Sequence, residues 1–337
     1  MKTANMVSWE NIQASNTSLK NYGPNLVGVF VGGTSGIGES TARAFVKYAV
    51  SPRVYLVGRS ETRASQIIED LRALNPDGQI NFIKGDVARL EEVDQACKEI
   101  QAKEDKINLL VLSAGILTMK ETDEGLDKKL SLHYYSRMRF LYNLLPQLTN
   151  ASNAQDAASG QSGLSRVLSV LDARGNAPLI LNDLSLKENY SLRNCANHAI
   201  TMTSLSMEEL AASYPATSFV HAYPGLVKTS LARESGSLMK LALNAVFLLL
   251  TPMNVPLEES GERHLYAGTN PMFSPLNSKG DAAAIGSDGI QGSGSYLVGS
   301  DSATVSNQKV LEGYRADGTR ASIWKHTLDI FKGIRGD

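Results

Sequence analysis

The run Gly32-Gly33-Thr34-Ser35-Gly36-Ile37-Gly38 has the residue types and the spacing of a turn that binds phosphate. Glycine lets the backbone approach a phosphate because no Cβ intervenes, and the free amides of a helix N-terminus attract its charge. Gly32, Gly36 and Gly38 meet that need, and Thr34 and Ser35 add hydroxyl groups. We predict that this G-x-x-x-G-x-G run binds the phosphates of a dinucleotide, although a tight strand-to-helix turn is the structural alternative.

A second position bears on which dinucleotide is bound. The β-like segment 53–57 is followed by Gly58 and Arg59, with no carboxylate at this point. An acidic residue there would hydrogen-bond a ribose 2′-hydroxyl, whereas a guanidinium binds a 2′-phosphate. The alternative for Arg59 is a solvated surface residue. The sequence favours NADP(H) as the cofactor.

The elements that must position these residues alternate along the chain. Hydrophobic spacing predicts strands at residues 26–31, 53–57, 80–83, 109–112, 167–171 and 218–223, and helices at residues 39–50, 61–74, 90–102, 126–148 and 192–213. Such alternation is typical of right-handed βαβ units. We therefore predict an α/β fold with a Rossmann-like, doubly wound parallel sheet and helices on both faces.

Two further short motifs lie at the carboxyl ends of predicted strands. Asp86-Val87 follows the third strand, and Ser113-Ala114-Gly115 follows the fourth. Ligands bind at this edge in open parallel sheets, so both motifs are candidates for cofactor contact. Ordinary turn chemistry is the structural alternative for each.

Composition limits the classes of partner. The 337 residues are 42% hydrophobic and 20% charged, and 33 basic against 34 acidic side chains leave a net charge of -1. This balance favours neither nucleic acid nor an anionic membrane. We expect one domain over residues 1–337, with a core at about 25–233 and a lid with a C-terminal extension over 234–337.

The chain carries two cysteines, Cys97 and Cys195, which excludes a disulfide framework and fits a reducing compartment. Residues 1–20 lack the apolar core of a signal peptide, and the apolar stretch 238–250 is shorter than the ~20 residues that span a bilayer. We expect a cytoplasmic protein without a transmembrane segment. No Cys/His/Asp cluster has the spacing of metal ligands, and no G-x-S-x-G elbow is present.

Together the motifs resemble the short-chain dehydrogenase/reductase family. They occur in the family's order over residues 25–233, where Ser113-Ala114-Gly115 is a near version of an asparagine-alanine-glycine motif. The proline-glycine turn of the family appears as Pro224-Gly225-Leu226-Val227-Lys228-Thr229. The resemblance implies that Pro224, Val227 and Thr229 join the cofactor site. Segments 124–137 and 197–203 are similar to fungal members associated with secondary-metabolite pathways.

The resemblance also implies a catalytic set that this chain replaces. The family uses a tyrosine to transfer the proton, a lysine to hold the nicotinamide ribose, a serine to polarise the substrate oxygen and an asparagine to support a proton relay. The family pattern places Asn194 at the tyrosine, His198 at the lysine, Asp172 near the serine and His133 at the asparagine. All four positions depart from the family.

Acid–base chemistry remains possible with the residues present. His198 and His133 can exchange a proton, since an unperturbed histidine titrates near ~6.5. Tyr190 shares a helical face with Asn194 and His198 if the helix begins early, because the three are spaced by four. Tyr190 would then supply the missing phenol. The alternatives are a histidine that only bonds the ribose or the core, and a tyrosine packed at a helix start.

The family builds its substrate lid after Thr229, and here that region contains the apolar stretch 238–250. Such a wall suits a lipophilic, terpenoid or polyketide-like small molecule, although a core helix or a dimer contact explains it equally well. A monomer and a homodimer both remain open.

Three functions are therefore considered. The first is an NADP(H)-dependent oxidoreductase that reduces a carbonyl or oxidises an alcohol on a hydrophobic small molecule. The second is a redox-neutral isomerase, dehydratase or cyclase that uses His133, Asp172, Tyr190 or His198 as acid and base. The third is a non-catalytic NADP(H)-binding protein that senses the cofactor or holds a partner.

Overall fold

The computed structural model describes residues 6–153, 163–229, 254–278, 282–305 and 309–335. Its centre is a parallel sheet in which β3, β2, β1, β4, β5, β6 and β7 lie side by side in that order. The strands are β1 (Val27–Val31), β2 (Arg53–Gly58), β3 (Gln79–Lys84), β4 (Leu109–Leu112), β5 (Arg166–Val170), β6 (Ser218–Ala222) and β7 (Ser295–Val298). The order reverses between β1 and β4, which opens a crevice at their carboxyl ends.

Helices cover both faces of the sheet, which confirms the predicted fold class. They are α1 (Trp9–Thr17), α2 (Gly36–Tyr48), α3 (Glu61–Leu74), α4 (Leu90–Gln101), α5 (Ser136–Asn153), α6 (Leu192–Ser213), α7 (Leu257–Thr269), α8 (Lys309–Ala316) and α9 (Thr319–Arg335). Helices α1, α2, α3 and α7 pack on one face, and α4, α5, α6 and α9 on the other. In β1, Val29 and Val31 enter one core and Phe30 the other, because side chains alternate along a strand.

The predicted helix over 126–148 is not continuous. A short turn of helix, Lys128–Leu130, leads into the π-helical segment Ser131–Tyr135, and α5 follows. Single π-helical turns often occur at functional sites, and His133 is the middle residue of this one. The π-helical segment is tied to the C-terminus, because the Tyr134 hydroxyl lies 2.5 Å from Thr327 Oγ1 of α9.

The chain beyond residue 233 also contributes to the sheet. Strand β7 pairs with β6, and the sequence did not predict it because its four residues sit beside a turn-rich tract. Helix α7 packs closely on α2, where a Cβ on Gly261 would lie 2.6 Å from the carbonyl group of Ser40. Helix α9 packs an apolar face on the core, since Ile323 and Phe331 are buried.

The apolar stretch 238–250, assigned to a substrate lid, lies outside the described residues. Within the described ranges, no helix combines the length and the apolar character needed to cross a membrane.

Candidate functional site

The glycine run forms the loop between β1 and α2, as its spacing indicated. Helix α2 begins at Gly36, and the side chain of the preceding Ser35 makes no capping hydrogen bond to its first amides. In contrast, Ser60 caps α3 and Ser191 caps α6 in this way. The first turn of α2 therefore presents amides that its own N-cap side chain does not satisfy, as a phosphate-binding helix terminus requires.

The glycine loop packs directly on the turn that follows β4. A Cβ on Gly32 would lie 2.8 Å from the amide nitrogen of Ala114, and Gly32 has a φ of +85°. A Cβ on Gly38 would overlap Ser113 Oγ and lie 2.6 Å from the Gly32 carbonyl oxygen. Ser113 Oγ in turn donates to the Val31 carbonyl oxygen at 3.0 Å. The structure thus brings together two motifs that are far apart in the chain, since Gly38 and Ser113 are separated by 75 positions.

The turn after β6 completes this edge of the site. Gly225 has a φ of +76°, and Val227 is buried. Thr229 reaches the glycine loop, because a Cβ on Gly36 would lie 3.4 Å from its Cγ2 atom. The predicted contribution of the segment from Pro224 to Thr229 to the same site is consistent with this placement.

Arg59 stands at the carboxyl end of β2, beside the glycine loop. The preceding Gly58 is covered by Thr34, whose Cγ2 atom would lie 3.0 Å from a Cβ at that position. Arg59 is exposed. A role of Arg59 in binding the 2′ position of a dinucleotide stays a prediction.

Asp86 and Val87 form the turn after β3. Asp86 Oδ1 accepts from the Ala88 amide at 3.3 Å, and the Asp86 amide donates to Glu92 Oε2 at 3.0 Å. Val87 belongs to the core. These bonds close the turn, and cofactor contact by this pair stays a prediction.

His133 lies under the loop that follows β4. Its Nε2 atom accepts a hydrogen bond from the Ile116 amide at 3.1 Å, which assigns the ring proton to Nδ1. Burial lowers the pKa of His133 well below its ordinary value, and the charges of Arg137 and Lys129 lower it further. The neutral His133 ring therefore holds the loop that contains Ser113-Ala114-Gly115 through the Ile116 amide.

Asp172 follows β5 at the same edge. It is half-buried, and its Oδ1 atom accepts from the Arg174 amide at 3.1 Å. The Arg174 guanidinium lies over the ring of Tyr223, 3.8 Å from the ring centre. Tyr223 is half-buried and directly precedes Pro224, so a phenol that the sequence analysis did not single out stands beside the Asp172 turn. Its position before the proline-glycine turn was the available signal.

The prediction that His198 is an acid–base or ribose-binding group is not supported by its surroundings. Nε2 of His198 accepts from the Ile180 amide at 3.0 Å, and Nδ1 lies 3.2 Å from the Leu184 carbonyl oxygen, to which it donates. Burial lowers the pKa of His198, so the ring is neutral. Both nitrogens are engaged by the loop before α6. Ile200 of the same helix approaches the Asp172 turn, because a Cβ on Gly175 would lie 3.3 Å from Ile200 Cδ1.

Tyr190 does not share a helical face with Asn194, because α6 begins at Leu192 with Ser191 as its N-cap. The Tyr190 hydroxyl donates to the Thr118 carbonyl oxygen at 3.4 Å. Burial, with Cys195 and Asp127 nearby, raises its pKa far above the ordinary value, so it is a poor proton donor. Asn194 Nδ2 donates to the Asn189 carbonyl oxygen at 2.8 Å and closes the first turn of α6.

The anchoring role of His198 is testable. His198→Leu is expected to lower the free energy of unfolding by about 2–4 kcal/mol, because two part-buried main-chain groups lose their partners. Chemical denaturation measures this change, and amide exchange at Ile180 should accelerate while exchange in β1 stays slow. Unchanged stability together with slow exchange at Ile180 would show that the loop does not depend on this histidine.

Arg137 is a site residue whose role the sequence analysis missed. The residue is 2% exposed, and its guanidinium spans the carboxyl ends of β4 and β5. Nη2 donates to the Ala114 carbonyl oxygen at 2.8 Å, and Nη1 donates to the Val170 carbonyl oxygen at 2.8 Å and to Ser169 Oγ at 2.9 Å. A sequence signal was lacking because arginine on a helix normally indicates a solvated face.

Comparison with known proteins places the chain among related sequences. A profile described as short chain dehydrogenase matches residues 27–155. An oxidoreductase of Emericella nidulans is 40% identical over 340 residues, which cover 96% of this chain and 98% of the relative. The oxidoreductase andH of Emericella variicolor is 38% identical, with 98% of each chain covered.

A relative that carries the family name is the short-chain dehydrogenase/reductase SAT2 of Stachybotrys chartarum, 30% identical over 360 residues, with 98% of each chain covered. Among solved structures, an NADPH-bound carbonyl reductase from chicken fatty liver is similar in fold, with a TM-score of 0.56 and 17% identity over 84% of this chain and 99% of that one. The chain therefore belongs to the short-chain dehydrogenase/reductase family of oxidoreductases.

Proposed function

We propose that this protein is an NADP(H)-dependent oxidoreductase that reduces a carbonyl, or oxidises an alcohol, on a hydrophobic small molecule. The observation that carries the proposal is the uncapped N-terminus of α2, flanked by Ser113 and Thr229 from two other loops. The names of the fungal relatives support an oxidoreductase, and the sequence resemblance to fungal members supports a place in secondary metabolism.

The residues fit the diphosphate and the 2′-phosphate of NADP(H). Gly32, Gly36 and Gly38 keep the loop free of side chains where the backbone must approach a phosphate. Arg59 supplies an exposed guanidinium at the end of β2, which matches a 2′-phosphate in charge and geometry. When bound, the cofactor would donate a hydride to a carbonyl carbon or accept one from an alcohol carbon.

Proton exchange with the substrate oxygen is assigned to the groups that keep partial exposure at this edge. These are the Asp172 carboxyl and the Tyr223 hydroxyl. His133 holds the loop after β4 as a neutral acceptor, and His198 and Tyr190 are engaged elsewhere. The chain's own residues thus provide binding, orientation and a proton without the family's tyrosine and lysine.

Arg59→Ala is expected to weaken NADPH binding by about 10- to 100-fold and to leave NADH binding unchanged. A fold-change of this size corresponds to about 1.4–2.8 kcal/mol, as expected for loss of a charge-assisted contact to phosphate. Isothermal titration calorimetry with both nucleotides measures it. Arg63→Ala, another exposed arginine four residues along the chain, is the matched control and should bind NADPH like the wild type.

Equal weakening of both nucleotides in Arg59→Ala would remove the argument for NADP(H), and failure of the wild type to bind either nucleotide would remove the proposed function. The redox-neutral alternative rests on the loss of the tyrosine and lysine. Product formation that consumes NADPH one for one excludes that alternative, and product formation without NADPH consumption establishes it.

A further inference from the structure

The guanidinium of Arg137 is a buried positive charge without an acidic partner among the described residues. Its hydrogen bonds go to three carbonyl oxygens and one hydroxyl, including the Leu132 carbonyl oxygen 3.2 Å from Nε. Burial lowers its pKa to about 9, so the group still carries its proton at neutral pH. By contrast, the nearby Arg139 forms an ion pair with Asp94 at 2.6 Å.

The groups around Arg137 do not neutralise it. His133 lies one helical turn earlier and is neutral. His221 of β6 pairs in register with Ser169, and its Nδ1 atom shares a hydrogen bond of 2.9 Å with Ser204 Oγ. Burial lowers the pKa of His221 to about 3, and the charge of Arg137 contributes to this shift. Asp172, two residues beyond Val170 at the same edge, is partly exposed and therefore better screened by water.

We propose that Arg137 sets the preference of this site for the reduced cofactor, so that the protein retains NADPH and releases NADP+. This inference rests on the proposed function. The place of Arg137 supports it, because its bonds join the loop after β4 to the last residue of β5, the edge where ligands bind in such sheets.

The physical reason is the charge that hydride transfer creates. In the reduction, NADPH would give a hydride, which is one proton with two electrons, to the carbonyl carbon, while a second proton goes to the oxygen. The nicotinamide ring would thereby become a pyridinium with one positive charge. A buried guanidinium repels that charge but has no such effect on the neutral reduced ring. Because Arg137 is shielded from water, the repulsion is less screened than between surface charges.

Calorimetric binding of NADPH and NADP+ to four variants tests the proposal. In the wild type, Kd for NADP+ should exceed Kd for NADPH by about tenfold or more. Arg137→Met should lower that ratio about tenfold, which corresponds to ~30 mV in the two-electron potential of the bound cofactor. Arg137→Lys keeps the charge and should keep the ratio, even where both affinities fall.

Two further variants act as controls. Arg166→Met removes another buried arginine, at the amino end of β5, and should leave the ratio unchanged. Asp172→Asn removes a negative charge from this edge of the sheet and should raise the ratio of Kd for NADP+ to Kd for NADPH. The rise should be smaller than the fall caused by Arg137→Met, because Asp172 is more exposed than Arg137.

Each result decides the question. If Arg137→Met weakens both nucleotides by the same factor, Arg137 is only a structural tie, and the proposal is wrong. A wild-type ratio at or below one overturns the proposal even if Arg137→Met does not fold. A ratio that falls as far in Arg137→Lys as in Arg137→Met also overturns it. Absence of binding to either nucleotide instead contradicts the proposed function itself.

Discussion

Acidification from about pH 7.5 to about pH 5 is expected to lower the free energy of unfolding by ~6 kcal/mol or more, because all five histidines are held neutral by burial. Burial lowers the pKa of each one: His133, His198, His221, His264 and His326. The pKa of His221 falls to about 3 and that of His264 to about 4.

The direction follows from proton linkage. Each histidine has a lower pKa in the folded state than in the unfolded state, where it is near ~6.5. The unfolded chain therefore binds protons first as the pH falls. The stabilisation is complete above about pH 6.5 and is lost progressively between the unfolded-state pKa and the lower folded-state pKa of each ring.

The size of the effect follows from the three most strongly shifted histidines, His133, His221 and His264. Each removes about 1.4 kcal/mol of unfolding free energy per pH unit below the unfolded-state pKa, so together they remove ~4 kcal/mol per unit. A domain is typically stable by ~5–15 kcal/mol, so about one to four pH units below the unfolded-state pKa exhaust the margin.

Denaturant unfolding at a series of pH values measures the slope, which reports the number of protons taken up on unfolding. A slope of about three protons between about pH 6 and about pH 5 is the expected result. His221→Asn keeps a polar atom near Ser204 and should reduce the slope by one proton. A stability that does not change with pH over this range would show that the histidines are not buried as neutral rings.

Gly38→Ala is expected to abolish nucleotide binding and to lower the free energy of unfolding by ~1–3 kcal/mol or more. The added Cβ would overlap Ser113 Oγ and lie 2.6 Å from the Gly32 carbonyl oxygen. The hydroxyl is held by its bond to the Val31 carbonyl oxygen, and the second obstacle is backbone, so the glycine loop and the turn after β4 must separate. This separation moves the amides of α2 away from the place proposed for the phosphate.

Calorimetry with NADPH and thermal unfolding measure the two effects. Gly313→Ala is the matched control, because a Cβ at that helical position in α8 meets nothing within 4 Å and should stabilise the helix by up to ~1 kcal/mol. Wild-type NADPH affinity in Gly38→Ala would mean that the loop tolerates the Cβ and that the close approach of the two turns is not required.

The order of elements was predictable because it depends on local periodicity. The predicted helices over 61–74 and 192–213 coincide with α3 and α6, and the predicted strand over 109–112 coincides with β4. Burial on both faces makes the strands of a parallel sheet continuous apolar runs, which are visible in sequence. Strand β7 was not predicted because it is short and because its pairing with β6 is a long-range contact.

The glycine loop was predictable for a related reason. Glycine is the residue type that meets the requirements on backbone conformation and close approach in this loop. Gly32, Gly36 and Gly38 can therefore be recognised in the sequence. The parallel sheet then implied that loops after β4 and β6 share one edge with them, and Ser113 and Thr229 lie there.

Local patterns in the sequence were therefore sufficient for the fold, the family resemblance and the position of the glycine loop. The partners of individual polar side chains became visible only in the folded structure. His198 occupies the position predicted for a ribose-binding group, yet its ring bonds Ile180 and Leu184. Arg137 resembles a surface arginine, yet it joins β4 to β5. A side chain's partners depend on packing between distant segments, which residue type and spacing do not specify.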